Sequence, residues 1–308
     1  MPPATAVQPE VEATPAIDES PDAAPAEPAR RKRVLMLTHR LPYPPDRGDR
    51  IRSYHILKFL AGHFDVAIAC VSEEDVWLQH HQLLSEIAAR ADILPISPTI
   101  SKLRGLVALL TGKAITPACH YRPALAQTIE DWHEQWPFDA VFTFCTGMID
   151  YARHAVHPQW VKERPIRHVL DLVDVDSEKW RRYSKNSWPP MKWVYAAEAR
   201  RLRKIEAGKM DDLDAVTVIS NAEAEAYRAH VGDHAKLRVV ENGVDIEYFQ
   251  PCDDCDNHTL IFVGVLNYRP NVEGIVWFAR EVMPRLRQRV DDAKLKIVGR
   301  HPVTKVQE

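Results

Sequence analysis

Short, almost uninterrupted apolar runs recur along this chain, separated by segments of helix length, and that alternation decides what it can fold into. The runs are Val34–Leu37, Phe64–Val71, Ile93–Leu94, Asp139–Cys145, Arg167–Val173, Asp214–Ser220 and Leu237–Val240. Between them Ile51, Tyr54, Leu57, Phe59 and Leu60 fall at helical spacing, and residues 74–90 read as a further helix. Strands apolar on both faces must be covered on both faces, which a parallel sheet with crossover helices achieves. Such crossovers are right-handed. The predicted fold is therefore α/β, a doubly wound, Rossmann-like domain over residues 33–245. In sheets of this kind ligands bind at the carboxyl ends of the strands, in the loops.

Leu237–Phe249 closes this series, and Leu260-Ile-Phe-Val-Gly-Val-Leu266 opens another. Residues 246–308 read as a linker and an incomplete second α/β domain. They offer strands at Thr259–Gly264 and Leu295–Gly299 and a helical stretch through Ile275, Phe278 and Val282 that Pro284 is expected to interrupt. So few elements leave apolar surface uncovered, and the expectation is a region that is loosely held or needs a partner, in a chain that is catalytically weak or dead by itself. At the other end, residues 1–32 form a tail expected to be disordered. Its first 30 residues hold seven prolines and eight alanines with almost no large apolar side chains, too little burial to offset ordering.

Composition excludes several classes. With 40 basic and 43 acidic residues, the net charge of −3 is wrong for a general nucleic-acid binder. No run of 18 apolar residues could span a membrane, and no basic-then-apolar leader opens the chain. Five cysteines, two of them (Cys70 and Cys145) inside apolar strands, fit reduced thiols in a cytoplasmic protein. Cys252-Asp-Asp-Cys255 is a lone C-x-x-C, weak evidence for zinc and better read as surface linker.

Three loops carry polar chemistry. In Pro44-Pro-Asp-Arg-Gly-Asp-Arg-Ile-Arg52, Gly48 permits close backbone approach where a helix begins, Arg47, Arg50 and Arg52 add charge suited to a phosphate or sugar, and Asp49 is a further candidate for substrate contact. The plainer reading has Asp49 capping the helix and the arginines solvated. The loop is neither a Walker loop nor G-x-G-x-x-G, which disfavours classical ATP-loop and nicotinamide sites. In Asp171-Leu-Val-Asp-Val-Asp-Ser-Glu-Lys-Trp180, Asp174, Asp176 and Lys179 sit at a strand's carboxyl end, where desolvation is costly unless they bind something. Base chemistry on an acceptor hydroxyl, a divalent metal and helix capping by Asp176 or Ser177 all remain open there. The third loop, Glu241-Asn-Gly-Val-Asp245, places Asn242 and Gly243 either at the site or in a plain interdomain turn. Residues 179–209 add ten basic side chains against two acids, with Trp180, Trp188 and Trp193 interleaved. Together with the apolar segment 101–113 and its basic flanks, they suit either an anionic membrane surface or a solvated basic face.

The succession of these motifs resembles the GT-B glycosyltransferases of the retaining family 4. The residues carrying the likeness are Val239–Asp245 with Phe249, Phe262–Asn271, Asp171–Trp180 and Leu41–Arg52; together they resemble sugar transferases of bacterial exopolysaccharide and PEP-CTERM/exosortase clusters. The resemblance implies transfer of a sugar, with retention, from a nucleotide-diphosphate sugar to a glycan or lipid-linked acceptor, with no cofactor and no metal site. The N-terminal half would hold the acceptor, at the inner face of the plasma membrane, and the C-terminal half the donor. Gly264 and the loop from Arg269 to Asn271 would approach the diphosphate, whose developing charge needs fixed donors. Three features depart from the family pattern: its Glu-x7-Glu pair would lie beyond Glu308, Val265 stands where a basic residue is common, and Asp174 and Asp176 stand where a histidine is common. A non-catalytic acceptor-binding or membrane-docking module is the alternative, and a sugar-nucleotide epimerase of the same architecture a third.

Overall fold

A computed structural model describes residues 30–76, 78–156, 165–208, 213–233, 235–251 and 258–307. The Pro/Ala-rich tail before residue 30, Lys209 and the Cys252–Cys255 pair lie outside them. The chain divides into two compact units, one ending at Asn242 and the other beginning at Gly243.

In the first unit, β1 (Arg33–Thr38), α1 (Gly48–His63), β2 (Asp65–Ser72), α2 (Leu78–Ile87) and β3 (Arg90–Pro95) run to one edge of the sheet. Three helices, α3 (Pro98–Leu110), α4 (Ile115–His120) and α5 (Pro123–Gln135), lead to β4 (Ala140–Phe144) on the other side of β1. There follow α6 (Ile149–Ala155), β5 (Arg167–Val173), α7 (Asp176–Lys185), α8 (Met191–Gly208), β6 (Ala215–Val218), α9 (Asn221–His230) and β7 (Leu237–Val239). The seven strands are parallel in the order β3-β2-β1-β4-β5-β6-β7. This is the doubly wound sheet expected from the apolar runs, and its order reverses between β1 and β4.

Side chains alternate across a strand, and here both sets are buried. Leu35, Leu37, Ala67, Ala69 and Val71 pack on one face with Leu125, Ile129 and Tyr151; Met36, Val66, Ile68 and Cys70 pack on the other with Leu57 and Leu84. Strand openings are pinned by acids just ahead of the neighbouring strand. Asp139 accepts from the Arg33 amide (2.7 Å), and Asp214 from the His168 amide (2.8 Å).

The second unit holds β8 (Thr259–Val263), α10 (Arg269–Trp277), α11 (Met283–Arg287), β9 (Lys294–Val298) and α12 (Thr304–Gln307), with β8 and β9 parallel. Pro284 does not interrupt the helical stretch as expected. A π-helical turn over Phe278–Val282 carries the backbone into α11, where Pro284 sits in the first turn and no intrahelical donor is needed from it. Ile261, Val263 and Val298 are exposed on the two-stranded sheet.

Gly299 is the tightest point of this unit, since a Cβ there would stand 1.8 Å from the Gly264 carbonyl oxygen. Gly299→Ala must push the β8 and β9 ends apart. We expect it to destabilise the second unit by roughly 1–3 kcal/mol, seen as faster amide exchange at Gly264 and Leu266 with the β1–β7 sheet unaffected.

Candidate functional site

The sheet reverses between β1 and β4, and the carboxyl ends of β1, β4 and β5 open a crevice there, the usual ligand position in such sheets. Backbone strain marks its rim. Cys145, just after β4, has φ 67° and ψ 159°, and Val173, at the end of β5, has φ 64° beside a bulge between Asp171 and Val173. Non-glycine residues held this way cost about 1–3 kcal/mol each and persist only where their surroundings fix them. Here the Cys145 amide donates to the Asp171 carbonyl (2.7 Å), and the Ile219 amide to the Val173 carbonyl (3.2 Å).

Beneath the rim lies a buried ion pair. Arg52 of α1 reaches Asp171 of β5 with two nitrogens, Nε at 2.8 Å and Nη2 at 3.2 Å. Asp171 also accepts from the Thr217 hydroxyl (2.9 Å) and the Val173 amide (3.3 Å), while Arg52 Nη1 donates to Asn242 Oδ1 (2.9 Å). Arg50 is likewise buried and held by protein carboxylates, Glu74 at 2.6 Å and Asp46 at 3.3 Å. Protein carboxylates thus engage both guanidiniums, Arg50 and Arg52, which the sequence offered as phosphate or sugar ligands, and these pairs brace the loop. Asp49 does not cap α1. Arg47 is the N-cap residue, without a side-chain cap bond, and Asp49 instead meets the Arg47, Arg40 and His39 side chains at 3.2, 3.5 and 3.9 Å.

Asp176 opens α7 but does not cap it, and neither does Ser177. Two glutamates from later helices satisfy the start of α7. Glu206 of α8 accepts from the Ser177 amide (3.1 Å) and hydroxyl, and Glu223 of α9 from the Val175 amide (2.8 Å). Asp176 is thereby released from the backbone. Burial raises its pKa, with Asp174 adding to the rise, while Lys179 (Nζ at 3.7 Å) and the Thr146 hydroxyl oppose it. Asp174 itself is half-buried on the same loop.

Opposite them stands His39, the residue after β1. Its ring stacks on Phe144 (centroids 5.9 Å apart) and meets His120 edge-on at 5.8 Å. Burial, then the His120 imidazole, holds its pKa down to about 3, so it is neutral at ordinary pH. Its Nδ1 is buried without a hydrogen-bond partner among the described residues. Gly147 lets α4 come this close, because a Cβ there would lie 2.9 Å from His120 Nδ1. The Cys145 thiol is kept protonated by burial and is no nucleophile.

The remaining expected positions fall elsewhere. Gly48 is the first residue of α1, and an added Cβ would meet nothing within 4 Å; the same holds at Gly243. Asn242 is exposed and bound by Arg52. In the second unit Gly264 packs directly on Asn271, whose Nδ2 would lie 2.9 Å from an added Cβ and which donates to the Val265 carbonyl (3.0 Å). Arg269 opens α10 and pairs with Glu273 at 2.7 Å. The sequence reading missed His39, Thr146 and Glu206. For His39 the signal was available, a polar ring directly after the first apolar run; Glu206 gave none.

Comparison with known proteins adds little at the level of sequence, since no family model and no curated protein matches this chain. Among solved structures, Phytolacca americana UGT2 complexed with UDP-2fluoro-glucose and pterostilbene is 10% identical, with a TM-score of 0.46 over 87% of this chain and 71% of that one. A glycosyltransferase from Rickettsia africae ESF-5 is 13% identical (TM-score 0.41, 90% and 69% covered). S. aureus MnaA in a co-structure with UDP is 14% identical (TM-score 0.42, 90% and 64% covered). Likeness at this level carries no residue, ligand or reaction over to this chain.

Two expectations follow from the geometry. Arg52→Ala leaves Asp171 charged and unpaired, and should destabilise the first unit by about 3–5 kcal/mol in urea unfolding. Burial also raises Glu206 from 4.5 to about 7. A raised carboxyl contributes stability that is full below the unfolded value and is lost as pH climbs through the folded one. Glu206→Gln should therefore flatten the fall in stability between pH 5 and 8, a term of about 3 kcal/mol in the parent chain. A fall of unchanged size would show that Glu206 is not its source.

Proposed function

We propose that the chain belongs to a nucleotide-sugar-dependent glycosyltransferase, its first unit forming the acceptor side and its second the start of the donor side. The observation carrying this reading is the polar cluster at the switch point, where Asp176, freed from capping, lies with Lys179, Thr146 and neutral His39. The resemblance of the four sequence motifs supplies the reaction class. In that reaction the acceptor oxygen bonds to the anomeric carbon, the carbon–oxygen bond to the diphosphate breaks, and the acceptor loses a proton.

Magnitudes assign the roles. A His39 pKa of about 3 makes the ring a poor holder of a proton but a good hydrogen-bond acceptor for a hydroxyl. Asp176, whose pKa burial raises above the ordinary carboxylate value, is the better proton acceptor. Lys179 and the Thr146 hydroxyl favour its charged form against burial, and Asp174 supplies a second carboxylate to orient acceptor hydroxyls. At the β8–α10 turn Gly264 would let the diphosphate come close to the backbone and Asn271 would present a donor to it, with Arg269 as the nearby cation. The acceptor is a glycan or a lipid-linked glycan of exopolysaccharide type, met at an anionic membrane face, and the product retains the anomeric configuration.

Calorimetric titration with UDP-, GDP- and ADP-sugars tests the donor side, micromolar binding being the expected result. Asp176→Asn should lower turnover by about 10²–10⁴-fold while leaving donor affinity unchanged; equal turnover would return Asp176 to a structural role. The exposed Ile261, Val263 and Val298 of the two-stranded sheet favour a second reading, a non-catalytic acceptor-binding module. Acceptor binding with no donor binding and no transfer would establish that one.

A further inference from the structure

Helices α7 and α8 form an antiparallel hairpin tied at both ends. Ser177 is bound to Glu206 at one end, and the Ser184 hydroxyl donates to the Lys192 carbonyl (3.0 Å) at the other. Between these ties Ala196 and Ala199 stand where larger side chains would close the interface, and an open groove of about 540 Å³ remains. Lys185, Arg200 and Arg203 line it, are exposed, and have no acidic partner among the described residues. The groove's acid, Glu178, is already engaged by Arg181, Arg182 (2.9 Å) and His230 (3.1 Å). The groove therefore presents three uncompensated cations over a floor of small side chains.

The turn closing the same hairpin is apolar and uncovered. Trp188 is 89% exposed and Trp193 67%, with Met191 between them. Indoles beside clustered lysine and arginine settle at the level of lipid head groups, where the ring is half-buried and the cations meet phosphate. A soluble phosphate would call for the cations and give the tryptophans no role.

We propose that the α7–α8 groove binds the phosphate head group of an anionic lipid, with Trp188 and Trp193 entering the bilayer interface. This deepens, and rests on, the reading of the first unit as the acceptor side. None of these side chains belongs to the switch-point cluster, so docking and chemistry are separable.

Co-sedimentation with phosphatidylglycerol–phosphatidylcholine vesicles, in the absence of any donor, tests the proposal on the full chain. The parent should bind these vesicles and leave pure phosphatidylcholine vesicles in the supernatant. Lys185→Ala/Arg200→Ala/Arg203→Ala should lower partitioning about a hundredfold, each exposed cation contributing about fivefold. Ala196→Leu, which fills the groove and keeps every charge, should lower it as well, as should Trp188→Ala/Trp193→Ala. Unchanged partitioning of the triple variant would overturn the proposal. So would insensitivity to Ala196→Leu, which would reduce the effect to diffuse charge. Binding of inorganic phosphate without binding of vesicles would also overturn it, marking a soluble-anion site. Transfer to a soluble acceptor is the separate test of the transferase reading, and the triple variant should leave it unchanged.

Discussion

Nearly everything at the switch point depends on the pairing of Arg52 with Asp171. Two buried charges cost several kcal/mol each to remove from water, and only a well-made pair with its remaining hydrogen-bonding capacity filled recovers that cost. Here the filling is done by four different segments. Arg52 comes from α1, Asp171 from β5, Thr217 from β6 and Asn242 from the end of the first unit. The pair therefore fixes the position of α1 against the sheet and of the chain's exit from it. It also holds Asp171 at the base of the bulge that gives Val173 its positive φ.

Carboxylates elsewhere in the unit divide labour on the same principle. Glu198 of α8 is fully buried and accepts from the Ile115 amide (2.7 Å) and the Thr116 amide (2.8 Å) and hydroxyl (2.9 Å), filling the donors at the start of α4. That seats α4, and with it His120 against His39. Glu206, two turns further along α8, performs the equivalent service for α7. A single helix thus positions both walls of the crevice from behind without entering it. Because other residues meet the demands of these helix starts, Asp176 makes no capping bond in a place where capping would normally consume its carboxylate, and pairs with Lys179 instead.

This arrangement explains which parts of the molecule were legible in its sequence. The strands were, because burial on both faces leaves a continuous apolar run that no other environment favours, as in Val34–Leu37 and Phe64–Val71. The site loops were legible as positions, since polar residues after a strand of such a sheet can lie only at its rim. Their roles were less so. Arg50 and Arg52 look the same in sequence as ligand-binding arginines; their bracing partners, Glu74 and, 119 residues away, Asp171, come from segments that no local pattern links to them. Glu206 sits in a basic helical stretch with nothing local to distinguish it. Pro284 misled for a different reason, because the preceding π turn leaves it in the first turn of α11, where no intrahelical backbone donor is required.

The strained residues show why so much buried structure surrounds a small cluster. Cys145 and Val173 hold unfavourable backbone angles at the ends of adjacent strands, and each would relax if its neighbour allowed it. They are coupled, since the Cys145 amide is bound to the carbonyl of Asp171, two residues before Val173. Asp171 in turn cannot move without exposing or unpairing Arg52. The outcome is a rim whose two sharp turns hold each other in place, one leading to Thr146 and the other to Asp176. Strain of this kind is tolerated where position matters more than stability, and here the position held is that of the loops carrying Thr146 and Asp176.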